Sequence, residues 1–484
     1  MLSGPGLVER LANGQSWWRR TGSPSKARSR QDRRCRSLLM SEQAPARLLI
    51  VDQSLRDLVG HHFEYDLAVA QSAAQHHLSA SVLAHESFDH FAAFGSISAI
   101  PWFSQTFYDA DKSPFFRMAR GLAIRLPSTV RAPLIALASP LLRRQRTAAP
   151  AALPVFGEAL KSYLIREGFQ RHDHVLIHTV SMAELHSALA ALAGWSAGPK
   201  LHVVLRRDAD EPGIRSGHWA TAADAFARVE GDAALAERVA FYTDSTSLSA
   251  QYSDIARGIA FRVLPVPYPP SEPALLGQDR KPGPLRITYV GDARLEKGYH
   301  LLPGLMAELG TTLLDGRTAR LVAQSNAAMS MEDQPIIRAR KGLARYPASQ
   351  VELIVNPLSV SDFNALLAQA DIVIFPYDAE KYRRRSSGIL VQALAAGKPV
   401  VVPAQTWLAD SAPPGAAVQF SASDEFNRAV AIAIESYASL SDVAQRQAQI
   451  WREFHTGSNL VKALCESAEL AGQVEPRRTR FEIS

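Results

Sequence analysis

The sequence predicts an α/β protein built from two Rossmann-like domains whose parallel sheets face each other across a cleft. The chain has 484 residues, which is too long for a single hydrophobic core. Short runs of Val, Ile and Leu alternate with helical stretches, as in parallel sheets that are covered by helices on both faces. A Pro- and Gly-rich stretch at residues 269–284 interrupts this alternation, and the same pattern then restarts.

The predicted strands fall into two groups on either side of the linker at 269–284. The strands of the first group are predicted at 47–53, 79–86, 174–180, 201–207, 239–244 and 261–268. Those of the second group are predicted at 286–292, 319–325, 351–357, 371–377 and 399–404. Helices are predicted between them, for example at 62–75, 359–370 and 388–396. The predicted units are therefore a first domain at 45–268, a second domain at 285–440, C-terminal helices at 441–470 and a polar tail at 471–484.

The positive net charge of the chain comes from its first residues. Residues 1–39 contain nine Lys and Arg and two acidic residues, which leaves 44 basic and 45 acidic residues in the rest of the chain. Without a basic body, nucleic acid is not an expected partner. Residues 1–42 are polar, Arg-rich and without hydrophobic periodicity, and we expect them to be disordered. Met40 precedes the first predicted strand, so a start at Met40 is left open beside a basic arm and a transit-like leader.

Two cysteines, Cys35 and Cys465, lie far apart and predict neither a disulfide framework nor a metal cluster. No apolar run reaches the roughly 18 residues of a membrane-spanning helix. We therefore expect a cytoplasmic protein.

Residues 112–157 form a basic insert with eight Lys or Arg and no acidic residue. Aromatic and aliphatic side chains alternate with arginines between Phe115 and Leu126. The pattern leaves open a surface for anionic lipid headgroups at the inner face of the membrane and a solvated helical pair that packs on the core.

The first stretch with chemical content is ITYVGDARLEKGYHLL at 287–302. A strand ends at Gly291, where glycine allows close approach of a ligand, and a helix is predicted to begin near Lys297 and Gly298. Arg294 and Lys297 are suited to neutralise a diphosphate at the carboxyl edge of the strand.

The second stretch is DIVIFPYDAEKYRRRSSGILVQALAAGKPVVVP at 371–403. A strand ends at Pro376, and a basic loop leads to Ser386, Ser387 and Gly388, where a helix is predicted to begin. Backbone amides, hydroxyl groups and the positive end of the helix meet there, which is typical of an anion site.

Together the two stretches resemble the C-terminal domain of the GT-B superfamily of glycosyltransferases, in particular the retaining bacterial type (glycosyltransferase group 1, family 4-like). The resemblance is best over 286–404 and extends more weakly to HTGSNLVK at 455–462 and to the first domain. It implies that the second domain binds a nucleotide sugar and that the first binds the acceptor. It further implies that the C-terminal helices cross back to the first domain.

The resemblance also assigns roles to individual residues. Lys297 and Arg294 would help the diphosphate to leave, and His178 would lie near the reacting sugar. Residues implied to line the donor site are Gly60, Gly291, Arg384, Ser387, Gly388, Ile389 and Gln392.

Two departures from the family pattern concern the donor site. An Arg often follows the glycine that is Gly291 here, whereas this chain has Asp292. Family members also often carry two glutamates eight residues apart, whereas the matching positions here are Arg384 and Gln392, and Gln392 cannot act as a carboxylate. The identity of the donor and the details of sugar recognition therefore stay open.

Weaker signals surround these motifs. His61 and His62 follow Gly60 and are either phosphate or acceptor ligands or an ordinary surface pair. His178 lies in an apolar strand, where a hydrogen-bonded core histidine is the alternative to a site residue. Asp208 and Asp210 have the spacing of a metal-binding pair, but Asp109 and Asp111 repeat this spacing by chance, so no metal site is predicted.

The sequence and the resemblance lead to one functional hypothesis. The protein is expected to transfer a sugar from a UDP- or GDP-sugar to a hydroxyl acceptor, a glycan or a lipid-linked molecule, with retention and without a metal. No cofactor is expected, because the nucleotide sugar is a co-substrate. A GT-B-fold nucleotide-sugar epimerase and a catalytically silent GT-B-like binding protein remain as alternatives.

Overall fold

The chain forms two parallel β-sheets, each covered by helices on both faces. The computed structural model describes residues 45–58, 61–106, 155–209, 221–268, 283–326 and 334–471. The strands of the first sheet are β1 (Arg47–Asp52), β2 (Ser79–His85), β3 (Ser98–Phe103), β4 (His174–Ile177), β5 (Lys200–Leu205), β6 (Val239–Thr243) and β7 (Phe261–Val263). Those of the second are β8 (Leu285–Tyr289), β9 (Ala319–Gln324), β10 (Val351–Ile354), β11 (Ile372–Ile374), β12 (Val400–Pro403) and β13 (Ala417–Phe420). The predicted fold class is confirmed.

Helices connect the strands in both domains. In the first domain they are α1 (His61–Ala73), α2 (Phe156–Arg166), α3 (Met182–Leu192), α4 (Ala222–Gly231), α5 (Ala233–Ala236) and α6 (Thr246–Ile255). In the second they are α7 (Leu302–Leu309), α8 (Gln334–Leu343), α9 (Val360–Gln369), α10 (Ala379–Tyr382), α11 (Gly388–Ala395), α12 (Trp407–Ser411) and α13 (Phe426–Glu435). The chain ends with α14 (Tyr437–Phe454) and α15 (Gly457–Ala471).

The strand order reverses once in each sheet. The first sheet runs β3-β2-β1-β4-β5-β6-β7, and the second runs β10-β9-β8-β11-β12-β13. The order therefore reverses between β1 and β4 and between β8 and β11. Ligands of parallel α/β sheets bind outside the carboxyl ends of the strands at such switch points. The fold thus offers two facing crevices.

Alternating burial explains why the central strands are continuously apolar. In β1, Leu49 and Val51 lie in the core on one face of the sheet, and Leu48 and Ile50 lie in the core on the other. Successive strand residues point to opposite faces, so a strand buried on both sides needs apolar residues at every position.

The observed elements differ from the predicted ones mainly at the sheet edges. The sequence did not predict β3 and β13. Both are edge strands that pair on one side only, and they contain Pro101 and Gln419, so neither shows a continuous apolar run. The strand predicted at 261–268 ends at Val263, because Pro265 and Pro267 cannot donate to a ladder. The helix expected near Lys297 starts as one 3-10 turn at Tyr299–Leu301, and α7 follows from Leu302.

The two C-terminal helices belong to different domains. Arg452 of α14 donates a hydrogen bond to the carbonyl of Ala395 in the second domain, at 3.0 Å. Gly457, the first residue of α15, lies so close to α1 that an added Cβ would meet the Ala68 carbonyl oxygen at 2.0 Å. The chain therefore returns to the first domain between α14 and α15.

Several predicted segments lie outside the described residues: the basic segment 1–42, most of the insert 112–157, most of the linker 269–284, and Gly60. None of the helices in the described part of the chain is long and apolar enough to cross a membrane.

Candidate functional site

The two chemically suggestive stretches of the second domain meet at Gly291, beside the switch point between β8 and β11. Gly291 has a φ of +105°, which disfavours other residues. A Cβ added there would lie 2.7 Å from Lys297 Nζ and 2.8 Å from Ile389 Cδ1. The lysine of the first stretch and the start of α11 in the second therefore border the same small space.

Gly298 fixes the position of the lysine loop. Its φ of +69° is left-handed, and an added Cβ would lie 1.7 Å from the carbonyl oxygen of Pro376. The loop thus rests directly on the end of β11, and no larger residue fits there without moving the backbone.

Lys297 stands in a positively charged environment. Burial, together with the positive charge of Arg294, lowers the pKa of Lys297 to about 8, although Asp292 acts in the opposite direction. Lys297 makes no ion pair with any residue in the described part of the chain, and its Nζ lies 6.0 Å from the ring centroid of Tyr377. An anion that bound here would raise the pKa of Lys297 toward its usual value and gain a charge-assisted contact.

Arg294, unlike Lys297, forms ion pairs with neighbouring acidic residues. Its guanidinium lies 2.6 Å from Asp292 and 3.8 Å from Glu296, and its side chain is 42% exposed. Asp292 also accepts a hydrogen bond from Asn326 at 2.8 Å. The aspartate that departs from the family pattern therefore offsets part of the charge of Arg294.

The start of α11 offers backbone amides beside open space. Ser387 is buried, and its hydroxyl accepts a hydrogen bond from the amide of Leu390, which makes it the N-cap. A Cβ added to Gly388 would meet nothing within 4 Å. A ligand can therefore approach the positive end of this helix closely.

Four titratable side chains cluster at the facing switch point of the first domain. Asp52 is the last residue of β1, and His178 directly follows β4. His62 and Asp66 lie one turn apart on α1. His62 Nδ1 lies 2.6 Å from Asp52 Oδ2, and His178 Nε2 lies 2.7 Å from Asp66 Oδ1 and 3.5 Å from Asp52 Oδ2.

The pKa shifts divide this cluster into two pairs. Burial acts to raise the pKa of Asp52, but His62 lowers it to about 2. Burial acts to lower the pKa of His62, but Asp52 outweighs it, so the pKa of His62 lies above its usual value. Burial raises the pKa of Asp66 well above its usual value and lowers that of His178 to about 3. The first pair is ionic and the second is neutral.

His178 lies inside the first domain. Its side chain is 1% exposed and stacks on Tyr65 with ring centroids 4.3 Å apart. The contact between His178 and the donor sugar that the resemblance implies stays a prediction. Oxygen and nitrogen atoms of Asp52, Asp66 and His178 lie within 4.8 Å of one another, close enough for a metal ion, but Asp52 is already paired with His62, and His178 is hydrogen-bonded to Asp66.

Contacts between the domains join the loop before α11 to the first domain. Arg384 forms an ion pair with Asp208, and its carbonyl oxygen accepts a hydrogen bond from Ser245 Oγ at 2.7 Å. Ser386 Oγ donates to Asp244 Oδ2 at 2.5 Å. Asp208 also accepts from Gln251 Nε2 at 2.6 Å, so the first acid of the Asp-x-Asp pair is engaged in protein contacts. Asp210 lies outside the described residues.

Gln392 meets an acidic residue of the other domain. Its Nε2 donates to Glu64 Oε2 on α1 at 3.4 Å. Sequence reasoning missed Glu64, Asp52 and Asp66. The spacing of His62 and Asp66, one helical turn apart, and a charged residue at the end of an apolar strand were the available signals.

Comparisons with known proteins establish the fold. No family model matches the chain, and no curated protein matches it in sequence. HepE from Anabaena in complex with UDP superimposes with a TM-score of 0.57 at 13% identity, covering 88% of this chain and 100% of HepE. Sucrose-phosphate synthase from Thermosynechococcus elongatus superimposes with a TM-score of 0.57 at 12% identity over 88% of this chain and 98% of its own.

A third similar structure is a UDP-forming trehalose-phosphate synthase from Burkholderia xenovorans. It superimposes with a TM-score of 0.56 at 12% identity, covering 89% of this chain and all of its own. These proteins share the GT-B fold, which this chain therefore has.

Proposed function

We propose that this GT-B-fold chain is a glycosyltransferase that moves a sugar from a UDP- or GDP-sugar to a hydroxyl acceptor. One observation carries the proposal. Lys297 and the start of α11 border the same space at Gly291, on the sheet edge that faces the other domain. A diphosphate fits this site, because it offers negative charge to Lys297 and to the N-terminus of α11, and because the space beside Gly388 lets it approach the backbone closely.

The proposed mechanism uses the second domain to stabilise the leaving group. As the bond to the sugar breaks, negative charge grows on the diphosphate, and Lys297, Arg294 and the amides at Gly388 lie on its side of the cleft. These groups supply the positive charge that a divalent cation provides in other enzymes, so we propose a metal-independent reaction. We further propose that the anomeric configuration is retained, as in the family that the sequence resembles.

The acceptor would enter from the first domain, with its hydroxyl group facing the donor sugar. The contacts of Arg384, Ser386 and Gln392 with the first domain would close the cleft and exclude water, so that hydrolysis does not compete. We propose that the acceptor is a glycan or a lipid-linked molecule. We also propose that residues 112–157 contact the membrane.

The proposal is tested by a thermal-shift panel of UDP-, GDP- and ADP-sugars, with and without EDTA. We expect one nucleotide series to raise the melting temperature of the parent chain, by about 2–4 °C for each kcal/mol of binding. Lys297→Ala should abolish this rise. Lys341→Ala, which removes an exposed lysine on α8, should preserve it.

Turnover separates the proposed activity from its alternatives. Release of the nucleoside diphosphate only when a hydroxyl acceptor is present would establish transfer. Conversion of the nucleotide sugar without an acceptor would indicate an epimerase, and binding without turnover would indicate a silent protein. If no nucleotide stabilises the parent chain, the proposed donor site is wrong.

A further inference from the structure

Glu64 stands out among the acidic residues of the cleft because no cation in the described part of the chain pairs with it. Asp208 pairs with Arg384, and Asp244 pairs with Arg206 at 2.8 Å. Glu64 has no ion pair within the described residues, and Gln392 Nε2 donates the hydrogen bond found at its carboxylate. A half-buried carboxylate without a cation is costly unless other hydrogen-bond donors reach it.

The position of Glu64 relates it to the proposed donor site. Gln392 follows Gly388 by four residues on α11, so both lie on the same face of the helix, one turn apart. A molecule whose diphosphate lies at Gly388 therefore extends along this face toward Gln392. Glu64 closes that path from the opposite domain.

The chemistry of a carboxylate restricts what it can recognise. The anionic part of a nucleotide sugar is repelled by Glu64, and Lys297 lies at the other end of the path. The uncharged part offers hydroxyl groups, and a carboxylate accepts hydrogen bonds from two neighbouring hydroxyls at once. Nucleotide sugars contain such a vicinal diol in the ribose and again in most hexoses.

We propose that Glu64 is a donor-recognition residue, a carboxylate supplied by the first domain that binds a vicinal diol of the nucleotide sugar together with Gln392 of the second. This inference rests on the proposed function. It also places the acid on the opposite side of the cleft from the glutamate that the resembled family often has at the position of Gln392. Because the two side chains belong to different domains, a diol that both of them bind ties the domains together.

The ionisation of Glu64 gives this role a pH signature. Burial raises the pKa of Glu64 to about 7, and the hydrogen bond from Gln392 lowers it only in part. A diol binds the ionised form better, so donor affinity should fall as the pH drops below 7. Within the described residues, Gln392 on α11 hydrogen-bonds the Glu64 carboxylate, and Lys297 has a pKa of about 8, so the acid and alkaline limbs of a pH profile are separable.

The test measures dissociation constants by calorimetry at pH 7.5 for UDP, 2′-deoxyuridine diphosphate and UDP-glucose, with GDP, 2′-deoxyguanosine diphosphate and GDP-mannose in parallel. Glu64→Gln should raise the dissociation constant of the nucleotide sugar about tenfold or more, as expected for loss of charge-assisted hydrogen bonds. Glu435→Gln makes the same charge change at an exposed residue at the far end of α13, and it should leave binding unchanged.

The ligands distinguish the two diols. If the ribose is recognised, removal of its 2′-hydroxyl weakens binding to the parent chain but not to Glu64→Gln. If the sugar is recognised, the nucleoside diphosphate binds both proteins equally and only the nucleotide sugar separates them. In either case the fall in affinity for the nucleotide sugar between pH 7 and 6 should disappear in Glu64→Gln, because the diphosphate of a nucleotide sugar does not titrate in this range.

The result that overturns the inference is Glu64→Gln binding every ligand as Glu435→Gln does, while Lys297→Ala loses binding. The proposed function then stands and Glu64 has no part in it. If the parent chain binds no nucleotide, both proposals fail. Glu64→Asp provides a second variant that keeps the charge, and its shorter side chain should cause a smaller loss.

Discussion

The two switch points of the molecule have the same topology but opposite charge balance. At the first-domain edge, Asp52 and His62 neutralise each other, and Asp66 and His178 form a second, neutral pair. At the second-domain edge, Lys297 keeps its charge without an ion pair in the described part of the chain, and the space beside Gly388 is open. A sheet edge that satisfies its own charges stabilises the domain, whereas one that leaves charge and space uncompensated is suited to bind an anion.

The largest expected effect tests the first edge. Asp52→Asn removes the counter-ion and hydrogen-bond partner of the largely buried His62, and loss of such a charged hydrogen bond costs about 1.5–3 kcal/mol of the free energy of unfolding. Urea unfolding measures this loss. Asp254→Asn, an exposed residue at the end of α6, should change stability by less than about 0.5 kcal/mol.

Donor affinity of the folded Asp52→Asn protein should stay within about twofold of the parent value, because Asp52 is fully buried inside the first domain. If Asp52→Asn lost little stability but much donor affinity, the first edge would take part in ligand binding, and the proposed difference between the two edges would be wrong.

The second prediction concerns pH at the second edge. Lys297 has a lowered pKa of about 8, so it is protonated in the free protein below that pH. Above pH 8 the donor must bind a protein that has lost this charge, and the dissociation constant should rise by about tenfold per pH unit. Calorimetry between pH 7.5 and 9.5 measures it.

Arginine keeps its proton throughout this range, so Lys297→Arg should bind with a flat profile above pH 8. The same lowered pKa predicts that the parent chain without ligand becomes more stable as the pH rises from 8 toward 10.5, since the unfolded chain binds the additional proton. A parent affinity that does not change above pH 8 would remove Lys297 from the phosphate site.

The third prediction uses two glycines that both have open space. Gly388→Ala places a methyl group where the diphosphate is proposed to lie, and donor affinity should fall about five- to tenfold, or roughly 1–1.4 kcal/mol. Gly304→Ala on α7 is the matched control, because a Cβ there also meets nothing within 4 Å. Both variants should be as stable as the parent or more so, since Ala favours helix.

Equal donor affinity in Gly388→Ala and Gly304→Ala would mean that the ligand does not approach the start of α11. Melting temperatures and dissociation constants measured on the same preparations decide the matter.

The second domain was more predictable from sequence than the first. The stretches at 287–302 and 371–403 contain local signals, namely glycines beside strand ends and a serine before an apolar helix. These residues determine the backbone conformation of the turns in which they lie. Their meeting at Gly291 follows from the pairing of β8 with β11, which brings the two strand ends to neighbouring positions.

The first-domain cluster was not predictable in the same way. Asp52 and His178 are separated by more than a hundred residues, and their proximity depends on the pairing of β1 with β4. Glu64 gives no local signal either, because its partner Gln392 belongs to the other domain. Contacts of this kind are set by topology and domain arrangement, which a single sequence does not display.

The smallest expected effect tests the contact between the two edges. Arg384 and Asp208 form a partly exposed ion pair, with side chains 24% and 20% exposed, across the domain interface. Such a pair contributes about 1 kcal/mol or less, so Arg384→Ala and Asp208→Ala should each weaken donor binding about two- to fivefold by disfavouring the closed arrangement. The double variant should bind no worse than either single variant, because both remove the same interaction.

Arg383 provides the matched control, since its guanidinium lies 3.9 Å from the same Asp208 carboxylate and its side chain is half exposed. Arg383→Ala should have a smaller effect than Arg384→Ala. If Arg384 instead binds the donor directly, as the family resemblance implies, Arg384→Ala will weaken binding more than Asp208→Ala, and the double variant will keep the larger loss. A double-mutant cycle therefore decides whether the positive charge at position 384 acts on the ligand or on the opposite domain.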